Sequence, residues 1–485
     1  MSSTRGRLWL LWAVGIAAVA VRLIAINQPF IDPWSWRQAD VAAIARNYSE
    51  TGFHFAYPQI DWSGGDKGYV GSEFPILPFT AAVIYRITGV QEWVGRSQAV
   101  FFFALSIPFF IALVAEIFGE AASVWALLFY AFAPLALMAS RCFMPDIPSL
   151  SLSIVGLYCF RSWITEPRPR MFIVAALSTS LAILIKLPTA IIGLPLACVA
   201  LENFGLSVLR RPSIWLFAVI ALVPALFWYF HAWHISREFP PHHFFGDGGI
   251  RLMSLKWYLD IVLRILQSSL TWAPCLLALV GLSLGRRAPS KLFHWWLAAF
   301  ILFLVVAGYG NRHPWYQLPL VPLVAAFAGH AMNRILSPIH SGAASPAIVG
   351  VVMLIFAEQT LFATLRLFRP AAADLRDLGS ALKQRTPPGS LVVIADYGDP
   401  TGLYYAHRKG WHFSEKEDIY NGHPPTDDAA IADLEHLRQQ GATHIAFYSG
   451  TRWWLDYYKA FADHLRRSSV PVESNGAYEI FQLGR

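Results

Sequence analysis

The most regular feature of this sequence is a series of long apolar segments separated by short polar ones. A helix that crosses a membrane needs about 20 mostly apolar residues. Eleven segments approach that length and predict transmembrane helices, near residues 8–26, 97–117, 121–139, 147–163, 171–185, 188–203, 213–231, 268–285, 291–308, 314–333 and 346–366. A further apolar stretch at 74–88 is short and contains Pro75 and Pro78, so we expect it to lie along the interface rather than to cross.

The pattern changes after residue 366, where polar and charged residues become frequent. Short apolar runs at Leu391–Ala395 and His444–Tyr448 predict strands, and Asp427–Gln440 predicts an amphipathic helix between them. We therefore expect two domains: a transmembrane domain over 1–366 and a small α/β domain over 367–485.

Composition and charge support a membrane protein rather than a nucleic-acid-binding one. The chain is 55% hydrophobic and only 14% charged, whereas soluble domains carry about 25% charged residues. The net charge of +7 comes largely from bases between apolar segments, and positive loops face the cytoplasm. This rule places the N-terminus inside, and the loops at 27–96, 140–146, 232–267 and 309–313 and the C-terminal domain outside.

Unusual polar residues fall on that one predicted side. The first external loop carries Asp32, Trp34, Arg37, Asp40 and Glu73, with a helix expected over Ala39–Tyr48. Later turns add an acid at the head of a span, a lysine inside an apolar hairpin and a polar group beside a late span: Asp146, Lys186, Arg312, His313 and Tyr316. Ionisable groups at membrane depth usually face a cavity or a partner, so we expect one outward-facing polar cavity.

Transfer from a lipid-linked phosphate donor suits these residue types. Lys186 or Arg312 could neutralise a phosphate leaving group, and a carboxylate with a raised pKa could serve as base. Structural roles compete with each assignment: Asp32 and Asp146 could cap helices, Asp40 could pair with Arg37 or Arg46, Lys186 could snorkel, and His313 could be an interfacial histidine. The pair His242–His243 has no third metal ligand in view.

Taken in order, these motifs resemble a known group. They are the acidic first loop before Ile44-Ala45-Arg46-Asn47, then Glu73-Phe74-Pro75, Asp146, Lys186-Leu187-Pro188 and His313-Pro314-Trp315-Tyr316. The order is similar to the membrane GT-C glycosyltransferases of the protein O-mannosyltransferase and aminoarabinose lipid A transferase superfamily, closest to bacterial dolichyl-phosphate-mannose-transferase-like members. The resemblance covers roughly residues 8–330.

The resemblance implies a GT-C fold of about eleven transmembrane helices, with juxtamembrane helices in the first external loop, and an inverting sugar transfer (EC 2.4 class) from a polyprenyl-phosphate sugar. By analogy Asp32 is the base or orients the acceptor, with Asp40 competing. Glu73 matches an acid-then-proline position after the first loop, Asp146 matches the second-loop acid and is a further catalytic candidate, and Lys186 matches a lysine that contacts donor phosphate. We expect Arg312, His313 and Tyr316 to join Lys186 at the phosphate, and Glu73, Trp34 and Arg37 to bind acceptor or sugar. A divalent cation is the only cofactor left open, with no metal ligands assigned.

The expected partners are the lipid donor, a glycan, lipid or protein acceptor, and the membrane, with no nucleic acid. The expected location is the bacterial inner membrane, with the site on the periplasmic face. Two alternatives stay open. One is an oligosaccharide ligase with a polyprenyl-pyrophosphate donor, because the 232–267 loop carries Arg237, Arg251, Lys256 and Arg264. The other is a lipid or solute transporter, although the sequence has no internal repeat.

Overall fold

The structure, a computed structural model, describes residues 4–245, 249–337, 344–416 and 419–484. Within these ranges the α-helices are α1 Thr4–Leu23, α2 Ser35–Thr51, α3 Ile76–Thr88, α4 Glu92–Phe118, α5 Glu120–Phe132, α6 Pro134–Ala139, α7 Asp146–Thr165, α8 Pro169–Ile185, α9 Gly193–Phe204, α10 Pro212–Glu238, α11 Leu255–Arg264, α12 Trp272–Leu284, α13 Leu292–Val306, α14 Leu320–Leu336, α15 Ala344–Leu367, α16 Ala373–Arg385, α17 Thr401–Ala406, α18 Asp427–Gln439, α19 Trp454–Tyr457 and α20 Lys459–Ser468. The strands are β1 Leu391–Ala395, β2 Gly410–His412, β3 Glu415–Lys416, β4 Ile419–Tyr420, β5 Ala442–Tyr448, β6 Ser469–Ser474 and β7 Tyr478–Leu483.

The chain divides into two compact units, each assembled from three segments. We call the first the helical unit; it comprises Met1–Ile26, Arg96–Trp228 and Gly246–Phe368. We call the second the mixed unit; it comprises Asn27–Gly95, Tyr229–Phe245 and Arg369–Arg485. The predicted boundary at 366/367 falls at the end of α15, but the mixed unit also takes in the first long loop, because that loop packs on the C-terminal sheet.

The helical unit contains long apolar helices that make this a multi-pass membrane protein. Six described helical segments are long and apolar enough to cross a membrane, and a bent pair, Leu255–Ser269 with Trp272–Arg287, adds a seventh if it counts as one span. Each predicted span overlaps an apolar helix, but several, such as α5 and α8, are shorter than 18 residues. The predicted number of about eleven therefore depends on these short helices as well.

Two predictions about the connecting segments can be compared directly with the structure. Within the stretch 74–88, Ile76–Thr88 form α3, whose 13 residues span about 20 Å, less than the roughly 30 Å hydrocarbon core of a bilayer. The segment 232–267, expected to be one long loop, is partly helical instead, because α10 continues to Glu238 and α11 occupies Leu255–Arg264. Sequence hydropathy missed this extension because the end of α10 is polar.

Small residues allow the helices of the helical unit to approach closely. A Cβ atom on Gly281 of α12 would lie 1.9 Å from the Phe327 carbonyl oxygen of α14, and one on Gly329 would lie 2.6 Å from the Ala122 carbonyl oxygen of α5. Close contact between backbones is the usual way that helices gain packing energy where no water is present to drive them together.

The mixed unit is built on a five-stranded sheet in the order β2-β1-β5-β7-β6. β1 runs parallel to both β2 and β5, whereas β7 runs antiparallel to β5 and β6. The predicted strands at 391–395 and 444–448 and the helix from Asp427 are confirmed. The chain leads from β1 through α17 to β2 at one edge of the sheet, and from β5 through α19 and α20 to β6 at the other edge. The carboxyl ends of β1 and β5 therefore form a topological switch point, where α/β folds commonly place a site.

The two faces of this sheet have different coverings. On one face, α18 and α20 bury Leu434 and Phe461 against Val393 and Ile445. On the other, α16 and α17 share a core with side chains of the first long loop, which include Ile44, Tyr48, Ile60 and Trp62. The segment 27–95 is therefore an integral layer of the mixed unit, and the sheet determines where its polar side chains lie.

Candidate functional site

The predicted site residues lie in two groups, one in each unit. In the helical unit, the first turn of α7 and the end of α8 bring together Asp146 and Lys186, whose carboxylate and ammonium form an ion pair. The lysine side chain is 11% exposed and the aspartate side chain 3% exposed. The Lys186 ammonium also lies 4.4 Å from the centroid of the Tyr316 ring, a cation–π contact. These three predicted residues are therefore neighbours.

Local backbone geometry explains how an apolar hairpin presents a lysine. α8 ends at Ile185, Lys186 adopts an extended conformation with φ −152°, and a 3-10 helix follows over Leu187–Ile192. Pro188 lies in the first turn of this helix, where its missing N–H is not needed as a hydrogen-bond donor. The Ser149 hydroxyl lies 2.6 Å from that of Thr189, which fastens the turn to α7.

A cavity of about 40 Å³ opens beside the ion pair. Its walls are mainly apolar or aromatic, and its polar lining includes Asp146, Lys186 and Tyr316 as well as two hydroxyl side chains, Ser153 and Thr189. The second carboxylate oxygen of Asp146 is buried and has no hydrogen-bond partner within the described ranges. A buried carboxylate oxygen without a hydrogen bond is energetically costly, so this oxygen is available to accept a hydrogen bond from a ligand.

Arg312 and His313 are placed differently from the other predicted phosphate ligands. The Arg312 guanidinium is exposed and lies 3.9 Å from the centroid of the Tyr309 ring. His313 stacks in parallel on Trp315, with ring centroids 4.6 Å apart. Neither residue belongs to the cavity lining that contains Lys186. The structure thus groups Tyr316 with the lysine and places Arg312 and His313 in other contacts.

In the mixed unit, Asp32 stands just ahead of α2 and is fully engaged. Its Oδ1 accepts from the Trp34 backbone N–H at 3.0 Å, and both carboxylate oxygens lie 3.0 Å from Nε2 of Gln38. Asp32 therefore stabilises the turn that leads into α2, but it is not the N-cap that the sequence allowed, because the N-cap is Trp34 and has no side-chain cap hydrogen bond. Trp34 is itself only 4% exposed, which leaves little ring surface on which a sugar could stack.

The predicted pairing of Asp40 with Arg37 or Arg46 is not what forms. Arg37 makes an ion pair with Glu73 and also lies 4.5 Å from the centroid of the Phe245 ring. Arg46 pairs instead with Asp61. Asp40, 3% exposed, accepts a hydrogen bond of 3.0 Å from the indole Nε1–H of Trp62. Arg37 and Glu73, both predicted to bind acceptor or sugar, are therefore brought together.

The environment of Asp40 gives it an unusual acidity. Burial raises the pKa of Asp40 to about 6, against the opposing effect of the Arg37 charge. The Trp62 hydrogen bond and the charge of His412 also favour the ionised form, whereas Asp399 opposes it. A carboxylate with a pKa near 6 is better matched to proton abstraction near neutral pH than an ordinary aspartate.

The C-terminal sheet contributes residues that the sequence analysis did not select. At the carboxyl end of β1 and β2, His412 Nδ1 lies 2.8 and 2.9 Å from the two carboxylate oxygens of Asp396. Although burial by itself lowers the pKa of His412, the Asp396 carboxylate outweighs it and raises this pKa above its ordinary value. Asp399, three residues along, accepts from the Ser35 hydroxyl of α2 at 3.0 Å, and burial raises its pKa to about 6.

One signal in the sequence could have found these acids. Asp396 and Asp399 directly follow the predicted strand Leu391–Ala395, and side chains at the carboxyl ends of parallel strands gather at one edge. No comparable signal marked His412, because its three-residue strand is too short to show periodicity.

The histidines of the 232–267 segment show no metal geometry. The His243 ring packs 5.2 Å from Trp62, and burial lowers its pKa to about 4. Across the part of the chain that the structure describes, no three His, Cys, Asp or Glu side chains are grouped so as to hold a metal ion.

Comparison with known proteins gives a family match and a set of similar structures. The family model of dolichyl-phosphate-mannose-protein mannosyltransferases matches residues 72–230. A crystal structure of ArnT from Cupriavidus metallidurans bound to undecaprenyl phosphate has a TM-score of 0.67 and 17% identity, over 99% of this chain and 98% of that one. The archaeal oligosaccharyltransferase AglB from Archaeoglobus fulgidus, with an inhibitory peptide and dolichol-phosphate, has a TM-score of 0.60 and 13% identity, over 95% of this chain and 71% of that one. A search of curated protein sequences gives no match.

At these identities the structural likeness concerns the fold, which is the GT-C fold expected from the motif order. The family match adds a likeness to dolichyl-phosphate-mannose-protein mannosyltransferases over residues 72–230.

Proposed function

We propose that this chain is a membrane glycosyltransferase of the GT-C type, which transfers a sugar from a polyprenyl-phosphate donor to an acceptor by inverting displacement; the family match over residues 72–230 and the fold support this. The acceptor hydroxyl gives its proton to a carboxylate, its oxygen bonds to the anomeric carbon, and the bond from that carbon to the phosphate oxygen breaks. Polyprenyl phosphate leaves with an added negative charge. We place the enzyme in the bacterial inner membrane with its site on the periplasmic face.

The observation that carries the proposal is the buried Lys186–Asp146 pair beside its cavity. A buried ion pair is often no more stable than apolar residues of the same shape, and charges at membrane depth usually have a function, so the pair favours a role for Lys186 in anion binding. The cavity of about 40 Å³ holds only a few waters, so a phosphate would have to displace the Asp146 carboxylate or move the Tyr316 ring. The lysine ammonium would then neutralise the leaving phosphate.

A lipid donor also needs a place for its apolar chain. An apolar groove of about 320 Å³ lies between α7, α8, α9 and α10, with Phe160, Ile183, Leu196 and Phe217 in its walls. The 3-10 helix after Lys186 borders both spaces, since Ile191 lines the cavity and Ala190 lines the groove. Phosphate and isoprenoid sites side by side match a single ligand that carries both groups.

For the base we favour Asp40 over Asp32, whose role by analogy was the stronger expectation. Both oxygens of Asp32 already accept hydrogen bonds from Gln38, and Oδ1 also accepts from the Trp34 backbone. Asp40 has a raised pKa and one strong donor, Trp62. Arg37 and Glu73 keep their assignment to the acceptor or sugar. We assign no step to a divalent cation, and turnover before and after EDTA treatment tests that expectation.

Binding of undecaprenyl phosphate to the full-length protein in nanodiscs tests the phosphate site. We expect Lys186→Met to weaken binding about 30-fold, since a charge-assisted contact contributes about 2 kcal/mol, while undecaprenol binds both proteins equally. Lys256→Met, at an exposed lysine of α11, is the matched control. Because Lys186→Met leaves Asp146 unpaired, the double variant Lys186→Met/Asp146→Asn repeats the test without a buried charge. Unchanged selectivity for the phosphate in both variants would rule out the assignment.

Turnover separates this proposal from the two alternatives. Labelled undecaprenyl-phosphate sugars and undecaprenyl-pyrophosphate oligosaccharides are offered to the protein together with envelope lipids and glycans. Product from the monophosphate donors only, lost in Asp40→Asn, is the expected result. Product from the pyrophosphate donors only would favour the ligase. Three arginines that suggested the ligase already have other partners: Arg237 lies over Trp233, Arg251 lies over Tyr309, and Arg264 donates to the Arg312 carbonyl oxygen. Movement of labelled lipid across vesicles without product would favour a transporter.

A further inference from the structure

The mixed unit contains a continuous chain of contacts that begins in the C-terminal sheet and ends at Asp40. Asp396, after β1, holds Nδ1 of His412 at 2.8 Å. The His412 ring lies 5.4 Å from the Trp62 ring, centroid to centroid, and the Trp62 indole donates to Asp40 at 3.0 Å. All four residues are at most 7% exposed. Contacts in series among buried groups leave few alternative orientations for the indole.

The backbone around this chain is fixed by the same sheet. Gly64 N donates to the Gly410 carbonyl oxygen at 2.8 Å, and Gly410 N donates to the Asp61 carbonyl oxygen at 3.0 Å. Trp62 thus lies in a short stretch paired with the start of β2. A third link joins α2 itself, where the Ser35 hydroxyl donates to Asp399. The C-terminal domain therefore holds both the helix that carries Asp40 and the tryptophan that contacts it.

We propose that Asp396 and His412 of the C-terminal domain are positioning residues for Asp40, acting through the Trp62 indole. Asp396 orients His412, the imidazole fixes the plane of the indole, and the indole N–H holds the carboxylate in one orientation. This inference rests on the proposed function, in which Asp40 is the base. It gives the C-terminal domain a role in the chemistry.

Charges around Asp40 add a second consequence of the same geometry. Arg37 from its own helix, His412 from β2 and Asp399 from the loop after β1 all act on its carboxylate. His243, which packs on the other side of Trp62, has its pKa lowered to about 4 and is neutral near pH 7. A protonated His412, stabilised by Asp396, favours ionised Asp40. Loss of that charge should therefore make Asp40 harder to deprotonate.

Infrared difference spectroscopy of the full-length protein in nanodiscs tests this without any substrate. The protonated-carboxyl band that is present in the wild type and absent from Asp40→Asn reports Asp40 as the pH is varied. We expect His412→Gln to move its titration midpoint upward by about one pH unit, the size typical of losing a nearby positive charge. Asp396→Asn removes a negative charge together with the proton that it stabilises on His412, so we expect a smaller upward shift. His444→Gln, at a buried histidine of the neighbouring strand β5, is the matched control and should leave the midpoint unchanged.

Breaking a buried pair could prevent folding, so the double variant Asp396→Asn/His412→Gln removes both charges at once. We expect it to shift the midpoint in the same direction by a smaller amount. A purely structural role would lower the melting temperature and leave the titration in place. Unmoved midpoints in the folded single and double variants would overturn the inference.

The two proposals fail in different ways. If Asp40→Asn keeps full turnover, Asp40 is not the base and the proposed function fails, whatever the midpoints do. If Asp40→Asn is inactive while His412→Gln, Asp396→Asn and their double variant keep the wild-type titration midpoint of Asp40 and the wild-type pH profile of turnover, only the positioning role fails.

Discussion

Breaking the ion pair between Arg46 and Asp61 shows how strongly this contact holds the first loop in the mixed unit. The Arg46 side chain is 5% exposed and that of Asp61 is 3% exposed. Arg46 Nη1 also donates to the Tyr404 carbonyl oxygen of α17 at 2.7 Å. The perturbation that isolates this contact is Arg46→Met, which keeps most of the side-chain volume and removes every donor.

Two costs add in this variant. Removing one partner of a buried ion pair costs about 3–5 kcal/mol, since the Asp61 carboxylate stays buried and, among the residues that the structure describes, keeps the Asn47 amide at 3.2 Å as its side-chain donor. The Tyr404 carbonyl loses a charged donor, which costs about 1–3 kcal/mol more. Against a typical domain stability of about 5–15 kcal/mol, this is a large fraction. We expect a fall of roughly 10 °C or more in the unfolding midpoint of the mixed unit.

Tryptophan fluorescence during thermal unfolding of the full chain in nanodiscs measures that midpoint, and limited proteolysis of residues 52–75 reports release of the loop. The double variant Arg46→Met/Asp61→Asn, which buries no charge, should recover most of the loss. Arg385→Met, which breaks the exposed contact with Glu473, is the control and should leave the midpoint unchanged. A shift below about 2 °C for Arg46→Met, or a double variant as unstable as the single one, would refute the reasoning.

Three further predictions concern the same unit. Because burial raises the pKa of Asp40 to about 6, kcat/KM should fall tenfold per pH unit below pH 6, where the base is protonated, and level off above it; a profile that is flat from pH 5 to 8 would contradict the role of Asp40. Trp62→Phe keeps the ring and removes the 3.0 Å hydrogen bond, so the same acid limb should move to higher pH by about one unit, whereas an unchanged limb would mean that the bond does not act on the ionised form. Gly64→Ala should destabilise the mixed unit by at least about 2 kcal/mol, because φ is +55° and the new Cβ would lie 2.1 Å from the Trp411 ring; Gly476→Ala, at a position with open space, is the control, and equal midpoints for the two would refute the argument.

Sequence patterns predicted the helical part well because its signal is local. Each predicted span overlaps an apolar helix, and the break at Lys186 is readable from Lys-Leu-Pro alone. Asp146 and Lys186 were expected on one side of the membrane and in one cavity, but their ion pair with each other was not predicted. The resemblance in motif order agrees with the GT-C fold.

The mixed unit was harder to predict because its decisive contacts join distant parts of the chain. Asp40 and Asp32 were singled out as isolated acids, but their different environments come from Trp62, Gln38 and the sheet. Nothing local in residues 27–95 indicates that they pack on a strand near residue 410. Propensity and periodicity describe one segment at a time, whereas this arrangement depends on β2 and its neighbours.

The three-part construction of the mixed unit has a consequence for biogenesis. Roughly 270 residues separate Gly95 from Arg369, so at about 5–20 residues per second the ribosome needs roughly 14–55 s to reach the segment that contains the sheet. During that interval the growing polypeptide holds an acidic, tryptophan-rich segment whose native neighbours have not yet been synthesised. A quality-control protease or a holding chaperone can bind the unpacked segment during that interval. A nonsense mutation before the final strands would leave this first segment without the sheet on which it packs.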